Sequence, residues 1–324
     1  DYVIASWGAD RILGGEGVDE LDALAGDDIV EGGAGDDHID ADGIVKSGYL
    51  STVAVQNHGN DFADGGEGDD EVAGGGGSDD LFGGAGDDKL WGDTSGKSNG
   101  AYFVGLQYHG NDYLDGEDGD DQMEGNGGDD TLFGGAGKDI LVGDTDADNL
   151  VGAAASDASA WGNDYLDGED GDDELAGGGK DDELFGGDGD DKLWGDQSST
   201  ALAGQFHGAD YLDGEGGKDQ LIGGGKDDRL YGGAGDDLML GDDTQDKVAG
   251  SHHGSDTLDG EDGNDQLLGG GKDDTLYGGA GNDFLHGDDF QSSLAAEHHG
   301  KDYLDGEDGD DVLAGGGKDD ELFG

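Results

Sequence analysis

The residues able to do chemistry in this chain are aspartates in fixed phase. A nine-residue repeat such as Gly83-Gly84-Ala85-Gly86-Asp87-Asp88-Lys89-Leu90-Trp91 recurs throughout, and self-similarity is the first signal to seek in a Gly-rich chain. With its positions numbered 1 to 9, position 6 is Asp in all 27 repeats. Alternate repeats give two series. One is Asp19, Asp37, Asp70, Asp88, Asp121, Asp139, Asp173, Asp191, Asp219, Asp237, Asp265, Asp283 and Asp311. The other is Asp10, Asp28, Asp61, Asp79, Asp112, Asp130, Asp164, Asp182, Asp210, Asp228, Asp256, Asp274, Asp302 and Asp320. Charge runs usually form a merely solvated face, but these carboxylates keep one phase with Gly at positions 1, 2 and 4. Glycine lets the backbone take positive φ and turn its carbonyls inward, so the pattern suits ligation of a hard cation by oxygen.

The elements that must position these carboxylates are short. Position 8 is apolar throughout, from Ile12, Leu21, Val30 and Ile39 to Leu304, Leu313 and Leu322, with Ala63 its smallest member. Alternation about position 8 points it inward and positions 7 and 9 outward, as in a strand. The 324 residues carry 83 acidic against 14 basic side chains, a formal charge of -69, with 76 Gly and neither Pro nor Cys. So few cations exclude the positive face that nucleic acids and anionic membranes require. Absent cysteine excludes disulfides and thiolate zinc sites. No stretch approaches the roughly 18 apolar residues of a membrane span, and the opening residues lack the basic start and apolar core of a secretory signal. Leu, Ile, Val and Phe make up under a fifth of the chain, a composition that taken alone would mean disorder.

The GGxGxDxUx pattern, on the residues quoted, resembles the nonapeptide of the RTX (repeats-in-toxin, haemolysin-type) proteins. The resemblance implies an all-β fold: a right-handed parallel β-roll, or β-helix solenoid. Six residues would make each turn, three each strand and two repeats each coil, with multiple Ca²⁺ ions held between successive turns on both edges. Two aliphatic side chains per coil are too little to offset the entropy of ordering eighteen residues. Folding and calcium binding are therefore expected to be one equilibrium.

A longer period overlies the first. Trp7, His58, His109, Trp161, His207, His253 and His299 each occupy position 3 of a first repeat, and blocks of four repeats are separated by inserts near 43–57, 94–108, 145–160, 197–206, 243–252 and 289–298. Four repeats are two coils, so the inserts leave a single continuous roll, residues 1–324, along one edge. The series beginning at Asp19 lies on the uninterrupted edge and is the firmer calcium row. The series beginning at Asp10 shares its edge with the inserts, and Lys180, Lys226, Lys272 and Lys318 replace Gly at position 4 there. Calcium on that edge is less certain, and these lysines read as solvated side chains rather than substitutes for the ion. The histidines read as groups closing each insert onto the roll, since Trp7 and Trp161 stand in the same position.

Outward aromatics form a stripe: Phe62, Tyr113, Tyr165, Tyr211 and Tyr303 at position 7, and Phe82, Phe133, Phe185, Tyr231, Tyr277 and Phe323 at position 9. Such a stripe is either covered or docks on another molecule; the apolar residues of the inserts favour a cover. No nucleophile elbow, recurring acid–base pair or phosphate loop points to catalysis, so no enzyme is expected. The expected function is an extracellular, secreted or cell-surface calcium-binding structural or adhesive segment that folds on calcium binding. Type I secretion is implied by the resemblance, and the inserts are surfaces for homotypic assembly or a surface receptor. The alternative is the secretion and folding region of a larger RTX toxin, protease or lipase. Asp1 is not a start methionine and Gly324 opens a further repeat, so the chain is expected to belong to a longer one.

Overall fold

Alternating polar and aliphatic residues in runs too short for a helix, punctuated by glycine, leave strand and turn as the available local structures. The computed structural model describes residues 1–42, 58–93, 109–144, 161–196, 207–242, 252–288 and 298–324. The described residues form β-strands and turns without a helix. They divide into two compact halves, Asp1–Leu166 and Asp167–Gly324. The insert ranges lie outside the described residues, except for His252 and His298.

In the first half, strand Tyr113–Asp118 pairs in parallel with Asp80–Ala85 on one side and Thr131–Ala136 on the other. Gln122–Glu124 lies likewise between Lys89–Trp91 and Ile140–Val142. The second half repeats the plan, with Tyr211–Gly216 between Glu183–Asp188 and Arg229–Tyr231. Lys192–Asp196 lies between Glu174–Gly178 and Gln220–Gly224. Every strand thus pairs with the strand two repeats away, so two repeats complete one coil. In each half, first and third repeats build a front sheet, and second and fourth repeats build a back sheet.

The register sets position 8 on position 8, as in Leu81, Leu114 and Leu132, or Leu175, Leu193 and Leu221. These side chains, and Ala63 with them, are fully buried. The core is therefore one aliphatic side chain wide per strand. Strands were expected to span three residues, and several front strands span six, including Phe62–Glu67 and Tyr113–Asp118. Their added residues are positions 1 to 3, where Gly66 pairs with Gly33 and Gly84. Position 1 is glycine in both strands, as Gly65 and Gly116, and lets the backbones stay close enough for the ladder to run on into the turn.

Candidate metal centre

The turns between strands stack coil on coil, and their hydrogen bonds place the aspartates. The position 7 amide donates to the carbonyl of the preceding position 6 Asp, as Tyr113 does to Asp79 at 2.8 Å, while the position 4 amide donates to a position 3 carbonyl, as Gly86 does to Asp118 at 2.8 Å. Within each half, a position 6 amide then donates to Oδ1 of the position 6 Asp on the next coil. On the uninterrupted edge Asp70 donates to Asp88 and Asp88 to Asp121, both at 2.7 Å, and Asp121 to Asp139 at 2.8 Å. In the second half Asp219 donates to Asp237 and Asp237 to Asp265, both at 2.8 Å. The structure thus brings the predicted aspartates together as continuous ladders within each half. Most are buried; Asp10, Asp311 and Asp320 are half-buried.

The second carboxylate oxygen is the informative one. Oδ2 of Asp70, Asp88, Asp121, Asp219, Asp237 and Asp265 is buried without a hydrogen-bond partner, and a buried unpaired carboxylate oxygen is costly. Each faces a hollow beside position 1. A Cβ placed on Gly83 would lie 2.6 Å from Asp88 Oδ2 and 2.8 Å from the Gly116 carbonyl oxygen, and one on Gly214 would lie 2.6 Å from Asp219 Oδ2 and 2.7 Å from the Gly232 carbonyl oxygen. The hollow is walled by oxygens of successive coils and excludes a side chain. Among the described residues no three His, Cys, Asp or Glu side chains group to hold a metal, so main-chain carbonyls must supply much of any coordination shell. An all-oxygen shell of carbonyls and carboxylates is the donor set Ca²⁺ takes, and these residues fit that ion.

Electrostatics agree. Burial, with repulsion from Asp139 and Asp88, pushes Asp121 up to about 8 against the opposing Asp88 amide. Burial raises Asp219 to about 8, Asp88 and Asp265 to about 7, and Asp70 and Asp237 to about 6. A bound divalent cation would supply the charge that keeps these groups ionised.

The insert-bearing edge has the same ladder. Asp61 donates to Asp79 Oδ1 across 18 residues and Asp79 to Asp112 Oδ1 across 33, both at 2.8 Å. Asp228 donates to Asp256 Oδ1 at 2.8 Å and Asp256 to Asp274 at 2.9 Å. Inserts therefore leave the turns in register. Lys180, Lys226, Lys272 and Lys318 hold φ of 84, 83, 81 and 70°, so the backbone keeps its glycine-like turn at a cost of about 1–2 kcal/mol each. Lys226, Lys272 and Lys318 are exposed. This edge is also the more enclosed: burial holds Asp112, Asp210, Asp228, Asp256 and Asp274 well above the carboxylate range.

Two sets of polar residues escaped the sequence reading. The first closes the inserts. Asp42, Asp93, Asp196, Asp242 and Asp288 occupy position 2 before an insert, and the position 3 histidine after it brings Nδ1 to the carboxylate. The distances are 3.0 Å for His58, 3.5 Å for His109, 2.5 Å for His207, 3.0 Å for His253 and 2.8 Å for His299. Asp196 also accepts the amides of Gly208 at 3.0 Å and Gly225 at 2.7 Å. At Trp161 the histidine is missing, and Asp144 still accepts the Gly162 amide at 2.7 Å. The signal was an Asp immediately before each of the six inserts. The second set is an outer ladder at position 5, where Asp69 accepts the Asp87 amide at 3.1 Å and Asn264 the Asn282 amide at 3.0 Å. Its signal was the recurrence of Asp, Asn and Ser at that position.

Comparison with known proteins follows from this geometry. The profile of the RTX calcium-binding nonapeptide repeat (4 copies) matches residues 1–43, 57–93, 110–132, 124–158, 160–175, 167–199, 207–221, 213–248, 254–271, 259–293 and 300–324. Among solved structures the chain is similar to a hyperactive, Ca²⁺-dependent, β-helical antifreeze protein from an Antarctic bacterium, with 19% identity, a TM-score of 0.49, and coverage of 94% of this chain and 83% of that one. No curated protein matches the chain.

Proposed function

The chain belongs to the RTX calcium-binding nonapeptide repeat family, and from that premise we propose that it is a non-enzymatic extracellular segment, structural or adhesive, whose folding is switched on by calcium after secretion. The buried row of partnerless Oδ2 atoms carries this reading, because a fold that encloses unpaired ionised carboxylates requires a cation to be stable. The position 6 aspartates of both series are the proposed ligands, with main-chain carbonyls of positions 1 to 4 completing the shell. The proposed roll is continuous over residues 1–324, and the inserts are the proposed surfaces for self-association or a receptor.

The proposed extracellular setting rests on the calcium affinity typical of such modules. Extracellular calcium modules bind at about 10⁻⁴–10⁻³ M, so such a chain stays unfolded at cytosolic calcium and orders outside the cell. No helix among the described residues is long and apolar enough to cross a membrane. The deciding experiment is a calcium titration followed by circular dichroism with ion stoichiometry. Cooperative gain of strand signal between about 0.1 and 1 mM calcium, with many ions per chain, supports the switch. Strand signal and compact size that survive chelation near pH 8, where the buried aspartates would be ionised, would overturn it.

A further inference from the structure

The front sheet of the second half carries an array that calcium ligation does not use. Its outward position 9 row reads Tyr231, Asp259, Tyr277 on three successive strands, with Asp259 in direct register with both rings. Neighbouring strands lie about 4.8 Å apart, so a carboxylate sits between two half-exposed aromatic side chains. Elsewhere in this half the row's aspartates are capped by a position 7 tyrosine: the Tyr211 hydroxyl donates to Asp213 at 3.1 Å and the Tyr303 hydroxyl to Asp305 at 3.2 Å. At Asp259 position 7 is Thr257, and the carboxylate's hydrogen bond is from the Glu261 amide at 3.3 Å. Asp259 also forms part of the wall of a groove of about 670 Å³, with Asp213, Glu215, Glu261 and Glu307; that wall holds no Lys or Arg, and Tyr231 and Tyr277 stand outside it.

We propose that this slot takes an ammonium or guanidinium group, and that the groove is a docking surface for an extended Lys/Arg-bearing polypeptide segment. Aromatic rings attract a cation through their quadrupoles, and the carboxylate in register between these two tyrosines supplies its counter-charge. The remaining groove carboxylates offer successive partners to the next basic side chains of the segment. Charge selects against other occupants. Anionic polymers and lipids meet a wall of one sign, and a second copy of this chain brings its own large negative charge.

The test uses the full chain at saturating calcium and a fluorescein-labelled peptide of alternating Lys and Ser, beside the same peptide with every Lys acetylated. The basic peptide is expected to bind and the acetylated one not. Asp259→Asn, and the pair Tyr231→Leu with Tyr277→Leu, are each expected to weaken binding roughly tenfold. Asp236→Asn makes the same charge change in the outer ladder, away from the slot, and should leave affinity within about twofold. Unchanged calcium stoichiometry and circular dichroism show that each variant folds, which separates failure of the slot from failure of the calcium switch. The acetylation comparison on the unmutated chain stands whatever the variants do. Absence of binding, equal binding of the acetylated peptide or a neutral oligosaccharide, or tyrosine variants indistinguishable from Asp236→Asn would each overturn the proposal.

Discussion

Each position 6 aspartate divides its work between two oxygens. Oδ1 of Asp121 accepts the Asp88 amide at 2.7 Å, whereas Oδ2 faces the hollow beside position 1 without a partner. Substitutions separate the roles. Asp121→Asn keeps an acceptor for the amide and removes the charge, so it should raise the calcium concentration needed to fold and lower the bound-ion count. Asp121→Ala also strands the buried amide, at a further cost of about 1–3 kcal/mol. Calcium titration and calorimetry of both variants check this; identical ion counts in Asp121→Ala and the unmutated chain would refute the ligand assignment. The insert necks obey a different rule, because Asp196 is satisfied by His207, Gly208 and Gly225. Asp196→Ala should destabilise the calcium-loaded fold by about 2–3 kcal/mol, seen as a lower melting temperature with the uninterrupted edge still loaded.

At the scale of turns and strands, the glycine of position 1 is a steric requirement rather than a conformational one. A Cβ on Gly214 would crowd Asp219 Oδ2 and the Gly232 carbonyl at 2.6 and 2.7 Å, so Gly214→Ala must push two coils apart at the proposed metal hollow. The expected outcome is faster amide exchange in strand Tyr211–Gly216 and its neighbours together with weaker calcium binding. Protection equal to that of the unmutated chain would contradict it. The glycine itself was legible in the sequence but was read as a need for positive φ, which positions 2 and 4 show and position 1 does not. The buried position 8 was legible because it repeats every nine residues, whereas strand direction and coil length came from the family resemblance. The Asp–His necks were not read, since they depend on two residues brought together across an insert: Asp196 and His207 are 11 residues apart in sequence yet in contact. The outer ladder was missed for another reason. Position 5 varies among Asp, Asn, Ser, Lys, Ala and Val, and only the stacking of coils reveals that Asp69, Asn264 and Ser78 accept the same kind of amide at 3.1, 3.0 and 2.9 Å. The front-sheet slot was hidden for the converse reason, because Thr257 breaks a pattern that Tyr211 and Tyr303 keep.

For the molecule as a whole, the buried carboxylates link fold to pH as well as to calcium, and the sign follows from their pKa values. The unfolded chain holds its aspartates near 3.9, whereas burial raises Asp70 and Asp237 to about 6, Asp88 and Asp265 to about 7, and Asp121 and Asp219 to about 8. The folded state without metal therefore binds more protons than the unfolded one between those limits. Protonation favours it, most strongly below about pH 4, and that stabilisation is lost as pH rises through 6 to 8. Calcium reverses the dependence, because the ion requires the same oxygens deprotonated. In chelator the chain should gain strand signal on acidification from pH 8 to 5, while the calcium needed for half-maximal folding should rise over the same descent. Both are read by circular dichroism across a grid of pH and calcium. A chelated chain that instead gained order as pH rose would mean that burial of the stacked carboxylates does not govern the metal-free state, and the coupling of charge, cation and fold argued from the Oδ2 row would fail with it.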